Sequence, residues 1–266
     1  MTAQTRPADW KNYDDFAAGI ATNRLPGSDA LAGRELCLNL PTGTWMLRPA
    51  SNHEMRWTEH GERSGSGSDW YEAVEVAPGT FFVDMTFSSR PAEALTLVLN
   101  LASRRVLAVL SRIRSAEEAG AEPRVRQDFW PGTLGDDPAA ASGEVPAETR
   151  DLIGLRTFQT YSPQHTYEHT YLSSQRYAWQ CLVGVQRGHG DVDMASYWRI
   201  EDGLYLFTFR EFLIPVASVF LFNFRDLRST GKFLGITGDG AVSNSPAGAF
   251  ITKASMTFYP AGAAPV

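Results

Sequence analysis

Residues 203–224 read GLYLFTFREFLIPVASVFLFNF, and residues 79–101 read GTFFVDMTFSSRPAEALTLVLNL. Each opens on a glycine, runs through an aromatic stretch, meets a proline (Pro215, Pro91) and closes on Asn223-Phe224 or Asn100-Leu101. The Gly-to-Asn separations differ by one residue, and further apolar runs follow, GKFLGI in one case and RRVLAVL in the other. Upstream, Asp15-Phe16-x-x-Gly19 is echoed by Asp128-Phe129-x-x-Gly132, and Leu31-x-Gly33 by Leu152-x-Gly154. One echo is chance; several in the same order indicate an internal duplication, which has to be settled before any other reading. The halves fall at about 14–115 and 127–260. The expected organisation is an N-terminal domain over 1–115, a linker and loop over 116–150, and a C-terminal domain over 151–266 whose repeat begins near 127. SAEEAGAEPRVR (115–126) is the polar, turn-rich join, and GDDPAAASGEVPAE (135–148) reads as a mobile surface loop.

Periodicity inside each half is that of strands. Leu36, Leu38 and Leu40 alternate, as do Phe207 and Phe209, and turn pairs such as Pro78-Gly79 and Asp202-Gly203 separate the runs. A short helix is expected near Trp10–Ala21. Many short strands with regular turns imply a mainly β fold, and about 100 residues per half with bulky aromatic strands favours two tandem antiparallel barrels, each wide enough for one small ligand. The 266 residues are 43% hydrophobic and 12% aromatic, which supplies the cores. Net charge is −6 without a basic cluster, so nucleic acid is not an expected partner. No apolar run spans a bilayer and the start lacks a signal-peptide core, so a cytoplasmic location without membrane association is expected. Cys37 and Cys181 then read as buried thiols.

The strand Tyr205–Leu213 places Tyr205, Phe207, Phe209, Glu211 and Leu213 on one face. A carboxyl among aromatics has its charged form disfavoured and its pKa raised towards acid–base work. The counterpart of Glu211, eight residues after the turn glycine, is Phe87, so an ionisable group stands here in one half only. Read as one strand, Tyr161–Tyr171 aligns Tyr161, His165, Tyr167, His169 and Tyr171, either as the wall of a polar pocket or as a wet outer face. Arg187, in the turn Gln186-Arg187-Gly188-His189-Gly190-Asp191, either holds an anionic group or stands on the surface. His165, His169 and His189 lack metal-ligand spacing on a strand, and no metal is expected.

With these residues in view, the run YEHTYLSSQRYAWQCLVGVQRGHGDVDMASYWRIEDGLYLFTFRE, continued by VFLFNF and GKFLGI, resembles the molybdenum cofactor biosynthesis protein F (MoaF-like) family. FFVDMTF and TLVLNLASRRVLAVLS resemble that family's N-terminal domain. The resemblance implies a pair of calycin, lipocalin-like domains. The C-terminal half is more distantly similar to the phenolic acid decarboxylases. That similarity places their catalytic Glu on Glu211, their Arg on Arg187, and their tyrosine pattern on Tyr161 and Tyr167-Glu168, with Gln159 where a second tyrosine is expected. It implies a cofactor-independent lyase or isomerase with Glu211, Arg187 and Tyr161 as catalytic residues, acting on a small carboxylic acid or enone. The expected ligand contacts are Tyr167, His165, His169, Tyr171, Tyr177, His189, Phe207, Phe209 and Asn223. Two rivals stand beside this: a non-catalytic binding or carrier protein linked to molybdenum cofactor assembly, and a filled barrel acting through self-association. Monomer and homodimer are both compatible with the sequence.

Overall fold

The computed structural model describes residues 6–266. It is mainly β, and each half is a closed eight-stranded antiparallel barrel. The first is built from β1 (Leu36–Leu40), β2 (Gly43–Pro49), β3 (Glu54–Gly61), β4 (Gly65–Ala77), β5 (Thr80–Thr86), β6 (Glu93–Asn100), β7 (Arg105–Ile113) and β8 (Val125–Leu134). After a two-residue strand, β9 (Ala147–Glu148), the second barrel comprises β10 (Leu155–Ser162), β11 (His165–Tyr171), β12 (Arg176–Val183), β13 (Gly190–Glu201), β14 (Leu204–Arg210), β15 (Val216–Asn223), β16 (Arg228–Ile236) and β17 (Val242–Met256). Each strand pairs with its neighbour in sequence. First and last strands meet through Leu38↔Leu134 in the first barrel and through Leu155↔Met256 to Thr160↔Phe250 in the second. Closed barrels leave no strand edge unpaired, which suits so many short strands.

The duplication is visible at the level of single hydrogen bonds. Gly79 and Gly203 both take positive φ (71° and 74°), and each carbonyl accepts from the residue after the matched asparagine, Leu101 or Phe224, at 2.9 Å. Asn100 Oδ1 accepts from the N–H groups of Ala102 and Ser103, and Asn223 Oδ1 from those of Arg225 and Asp226. Four residues past each asparagine a non-glycine residue has positive φ, Arg104 (57°) and Leu227 (54°). Gly33 and Gly154 donate to the last residues of β2 and β11, Pro49 and Tyr171. These are the same turns built twice.

The compact units divide the chain at other places than the expected boundaries. One compact unit contains Leu25–Arg112 and Gln127–Ala147; the other contains the N-terminal segment up to Arg24, Ile113–Arg126 and Glu148–Val266. The stretch near 127, expected to open the second half, is therefore the strand that closes the first barrel, because closure needs an eighth strand beside β1. Asp128–Gly132 lies in β8, whereas Asp15–Gly19 spans helix α1 (Tyr13–Ala17) and the turn after it, so that echo has no common structure. The helix expected over Trp10–Ala21 is confined to α1. The loop at 135–148 holds a 3-10 turn (Pro138–Ala140) and β9, and the join at 115–126 holds a second short helix, α2 (Ala116–Ala119). Tyr161–Tyr171 is two strands joined at Pro163-Gln164, with a bulge between Thr160 and Ser162. Across that hairpin the Tyr161 and Tyr167 rings meet at 6.0 Å.

Candidate functional site

The interior of the second barrel is set by alternation along its strands. On β14, Phe207 and Phe209 point to the core, and Glu211 follows just past the strand end, 5% exposed. Phe207 is the centre of an aromatic cluster, with Tyr171, Tyr177, Tyr197 and Phe222 at ring separations of 5.0–5.6 Å. This cluster fills the barrel on one side of His169. On the other side a cavity of about 30 Å³ remains, room for roughly two water molecules. Glu211, Tyr161, Tyr167, His169, Tyr177 and Phe209 line it, joined by Gln186, Trp179 and Phe233 from the barrel and by Phe16 and Ile20 from the N-terminal segment.

Two carboxyls dominate the chemistry. Glu211 draws no hydrogen bond from a described side chain, and burial, followed by the charges of Asp193 and Asp191, raises its pKa well above the usual carboxylate range. Asp193 is also buried, which pushes it up to about 7 with the Asp191 charge adding to the shift; hydrogen bonds from Trp179 Nε1 (2.9 Å) and the Phe212 N–H (3.3 Å) oppose it. Two buried carboxyls that sense one another do not ionise together. The one holding two donors carries the charge more readily. Asp193 is therefore the carboxylate of the pair and Glu211 the neutral acid.

The remaining polar groups are uncharged. Burial drives His169 down to about 3, so its ring is neutral, and its Nδ1 has no partner among the described residues. Tyr167 donates to Gln186 Oε1 at 2.7 Å, which leaves Gln186 Nε2 buried and without a partner. Burial raises the phenols of Tyr161, Tyr167 and Tyr177, which keeps them as neutral hydroxyls.

Six of the twelve expected residues thus share one cavity, and six do not. Arg187 is exposed on the turn between β12 and β13 and does not line it; Gln186, its neighbour, does. The turn carries the arginine outward because residue 186 is the one directed into the barrel. His165 bonds Ser162 Oγ through Nδ1 at 3.1 Å and packs under Gly19. Tyr171 and Phe207 belong to the packed aromatic cluster. His189 pairs with Asp9 at 3.0 Å and lies against the Trp10 ring. The Asn223 amide is engaged by its own turn and by Asp226. His165, His169 and His189 belong to no cluster of potential metal ligands among the described residues.

Residues 8–115 match the MoaF N-terminal domain and residues 146–257 the MoaF C-terminal domain, which together take in most of both barrels. The chain belongs to the MoaF family. A relative, Protein MoaF of Klebsiella aerogenes, is 36% identical over 198 residues, covering 70% of this chain and 74% of that protein. Among solved structures, a provisionally assigned beta-lactamase from Burkholderia vietnamiensis is 15% identical over 42% of this chain and 98% of its own, with a TM-score of 0.33. A DNA polymerase III beta chain from Streptococcus pneumoniae is 7% identical over 90% of this chain and 82% of its own, at 0.15. Neither likeness carries an argument. In this MoaF-family chain the N-terminal match includes the segment whose Phe16 and Ile20 reach the second cavity.

Several site residues escaped the sequence reading. Asp193 and Trp179 had a signal, since Trp57 and Asp69 stand at matching places on β3 and β4. There too the indole donates to the carboxylate (2.8 Å), and the N–H of Ser88, just past Phe87, donates to its other oxygen (2.8 Å). Phe16 and Ile20 had none, because nothing local ties a segment before the first barrel to the second.

Proposed function

We propose that this MoaF-family protein binds a small organic molecule in the second barrel and that Glu211, as a neutral acid, exchanges a proton with it in a cofactor-independent lyase or isomerase reaction. The supporting observation is a buried carboxyl that draws no hydrogen bond from a described side chain, lining a cavity beside a second, hydrogen-bonded carboxyl. An apolar environment keeps such an acid protonated near neutral pH, so it has a proton to deliver. Tyr161 and Tyr177 offer hydroxyls for orienting a polar atom. Arg187 has no part in this reading, which removes the anchor that the decarboxylase similarity implied. General acid–base help of this kind contributes about 10²–10⁴-fold.

The test is solvent exchange. An acid–base site that handles protons at carbon catalyses deuterium uptake at the α-positions of a ketone such as 4-hydroxyphenylacetone, followed by NMR in D2O. Glu211→Gln is expected to lower the protein-catalysed rate by about 10²-fold or more. A rate within about threefold of wild type removes Glu211 from the chemistry. The second reading, a binding or carrier protein, is favoured by the closure of the cavity under the protein's own Phe16 and Ile20. Wild-type protein that catalyses no exchange but releases one unmodified metabolite in near-stoichiometric amount on denaturation supports that role instead.

A further inference from the structure

We propose that the ligand of the second barrel is an uncharged aromatic compound bearing a carbonyl or hydroxyl oxygen, and that it takes the place now filled by Phe16 and Ile20. The inference rests on reading the Glu211 cavity as a binding site, and it names what that site accepts.

The charge argument comes first. Among the described residues no lysine or arginine lines the cavity. Lys232 neighbours Phe233 on β16, and alternation along the strand turns it to the opposite face. Arg187 is exposed. A carboxylate or phosphate entering here would lose its hydration without gaining a cation, and would also meet the Asp193 carboxylate. Burial of an isolated anion of that kind costs several kcal/mol.

The orphaned polar atoms make the second argument. Gln186 is 2% exposed and His169 is 4% exposed, yet Gln186 Nε2 and His169 Nδ1 have no partner among the described residues. Buried polar atoms left in this state are destabilising, so they mark positions where a ligand atom completes the bonding. Gln186 Nε2 is a donor, which asks for an oxygen lone pair. The neutral His169 ring accepts or donates according to tautomer. Both demands are met by a carbonyl or a hydroxyl, and neither requires a charge. Phe209, Phe233 and Trp179 supply flat apolar walls suited to an aromatic ring.

Size makes the third. About 30 Å³ is far below what a benzene-sized ring needs, so something has to move. The barrel strands are held by hydrogen-bond ladders on both sides and by closure. Phe16 and Ile20 are not on a strand. They belong to a segment whose one helix among the described residues, α1, is five residues long. The Phe16 ring meets Phe233 edge-on at 5.9 Å and occupies a place that a ligand ring would use. A short segment packed on a closed barrel opens at lower free energy than the barrel does.

The experiment compares two probes of similar shape, 4-hydroxyacetophenone and 4-hydroxybenzoate, titrated calorimetrically at pH 7.5 into the full chain. The ketone is expected to bind at least about tenfold tighter than the carboxylate. Phe16→Ala is expected to tighten ketone binding, because the ring it displaces is gone, and Ile20→Val, a milder change, to do so less. Arg187→Ala is expected to leave the ketone unaffected. Equal or tighter binding of 4-hydroxybenzoate overturns the proposal, as does failure of the ketone to bind both wild type and Phe16→Ala. The two readings fail separately. A preference for the carboxylate together with loss of proton exchange in Glu211→Gln sinks the ligand class and keeps the acid. Ketone binding with exchange unchanged in Glu211→Gln does the reverse.

Discussion

The two barrels share their turns and differ in what fills them. In the first, Leu36, Leu38 and Leu47 are buried where the register of the second places Thr157, Gln159 and His169. In each, an indole and a backbone N–H hold an aspartate. Burial acts to raise Asp69, but the bonds from Ser88 and Trp57 and the Arg90 charge outweigh it and hold it below the usual range. In the second barrel burial wins, and Asp193 is raised. The difference lies in two neighbouring positions. Where the second barrel has Glu211 and Ile214, the first has Phe87 and Arg90, and that arginine lies 4.1 Å from the Phe87 ring centroid, 5.1 Å from Trp57, and is ion-paired to Glu59. In one barrel a cation covers the Phe87 and Trp57 rings; in the other an acid stands beside a small void. A duplicated scaffold thus supports a packed core in one copy and a candidate site in the other through a few substitutions on one face.

The comparison is most exposed at Arg90. Replacing it by methionine leaves the buried Glu59 carboxyl without its ion-pair partner, and a loss of about 3 kcal/mol on urea unfolding is expected. Ile214→Ala, the matched truncation in the second barrel, creates only a cavity and is expected to remove about 2–3 kcal/mol. If Arg90→Met is neutral, the arginine does not stabilise the first barrel.

A sharper distinction is pH dependence. Asp193 has a folded pKa above its unfolded value, so the folded chain keeps a proton that the unfolded chain releases. On its account stability is greatest below about pH 4 and falls as pH rises towards its folded pKa, at up to about 1.4 kcal/mol per unit. Asp69, held low, acts in the opposite sense. Its contribution is present above about pH 4 and is lost as pH falls through its folded pKa. Urea midpoints measured from pH 3 to pH 8 are expected to show a shallower neutral-side decline in Asp193→Asn, the part due to Glu211 remaining, and a shallower acid-side decline in Asp69→Asn. Identical profiles for the two variants would erase the electrostatic difference between the barrels.

The smallest effect tests what the barrels share. Asn100→Ala and Asn223→Ala each remove the same pair of turn hydrogen bonds, and each is expected to destabilise by about 1 kcal/mol, Asn223→Ala by somewhat more because its bond to Asp226 is lost as well. A gap of more than about 1 kcal/mol between them would show that one asparagine does something besides hold its turn.

The architecture was legible because barrel strands and turns are local. Gly203, Pro215 and Asn223 mark one hairpin, their echoes mark another, and alternation assigns Phe207, Phe209 and Glu211 to one interior. The asymmetry Phe87/Glu211 was legible for the same reason, as a difference read between aligned strands. Arg187 was not, since a turn residue obeys no alternation and its direction depends on how the turn folds. Tyr161 and Tyr167 were assigned to one face through a supposed single strand; they share a cavity because a hairpin with a bulge brings them across from one another.

By itself the sequence determined a duplicated β protein and which of its two barrels has a carboxyl at the position shared by Phe87 and Glu211, because strand period and turn residues act over a few positions. The tertiary structure decided the rest. Closure recruited β8 into the first barrel, and the segment bearing Phe16 and Ile20 packs as the wall of the second barrel's cavity. Burial beside Asp193 made Glu211 a neutral acid. Each of these depends on residues far apart in the chain meeting in a low-dielectric interior, and no local pattern encodes which ones meet.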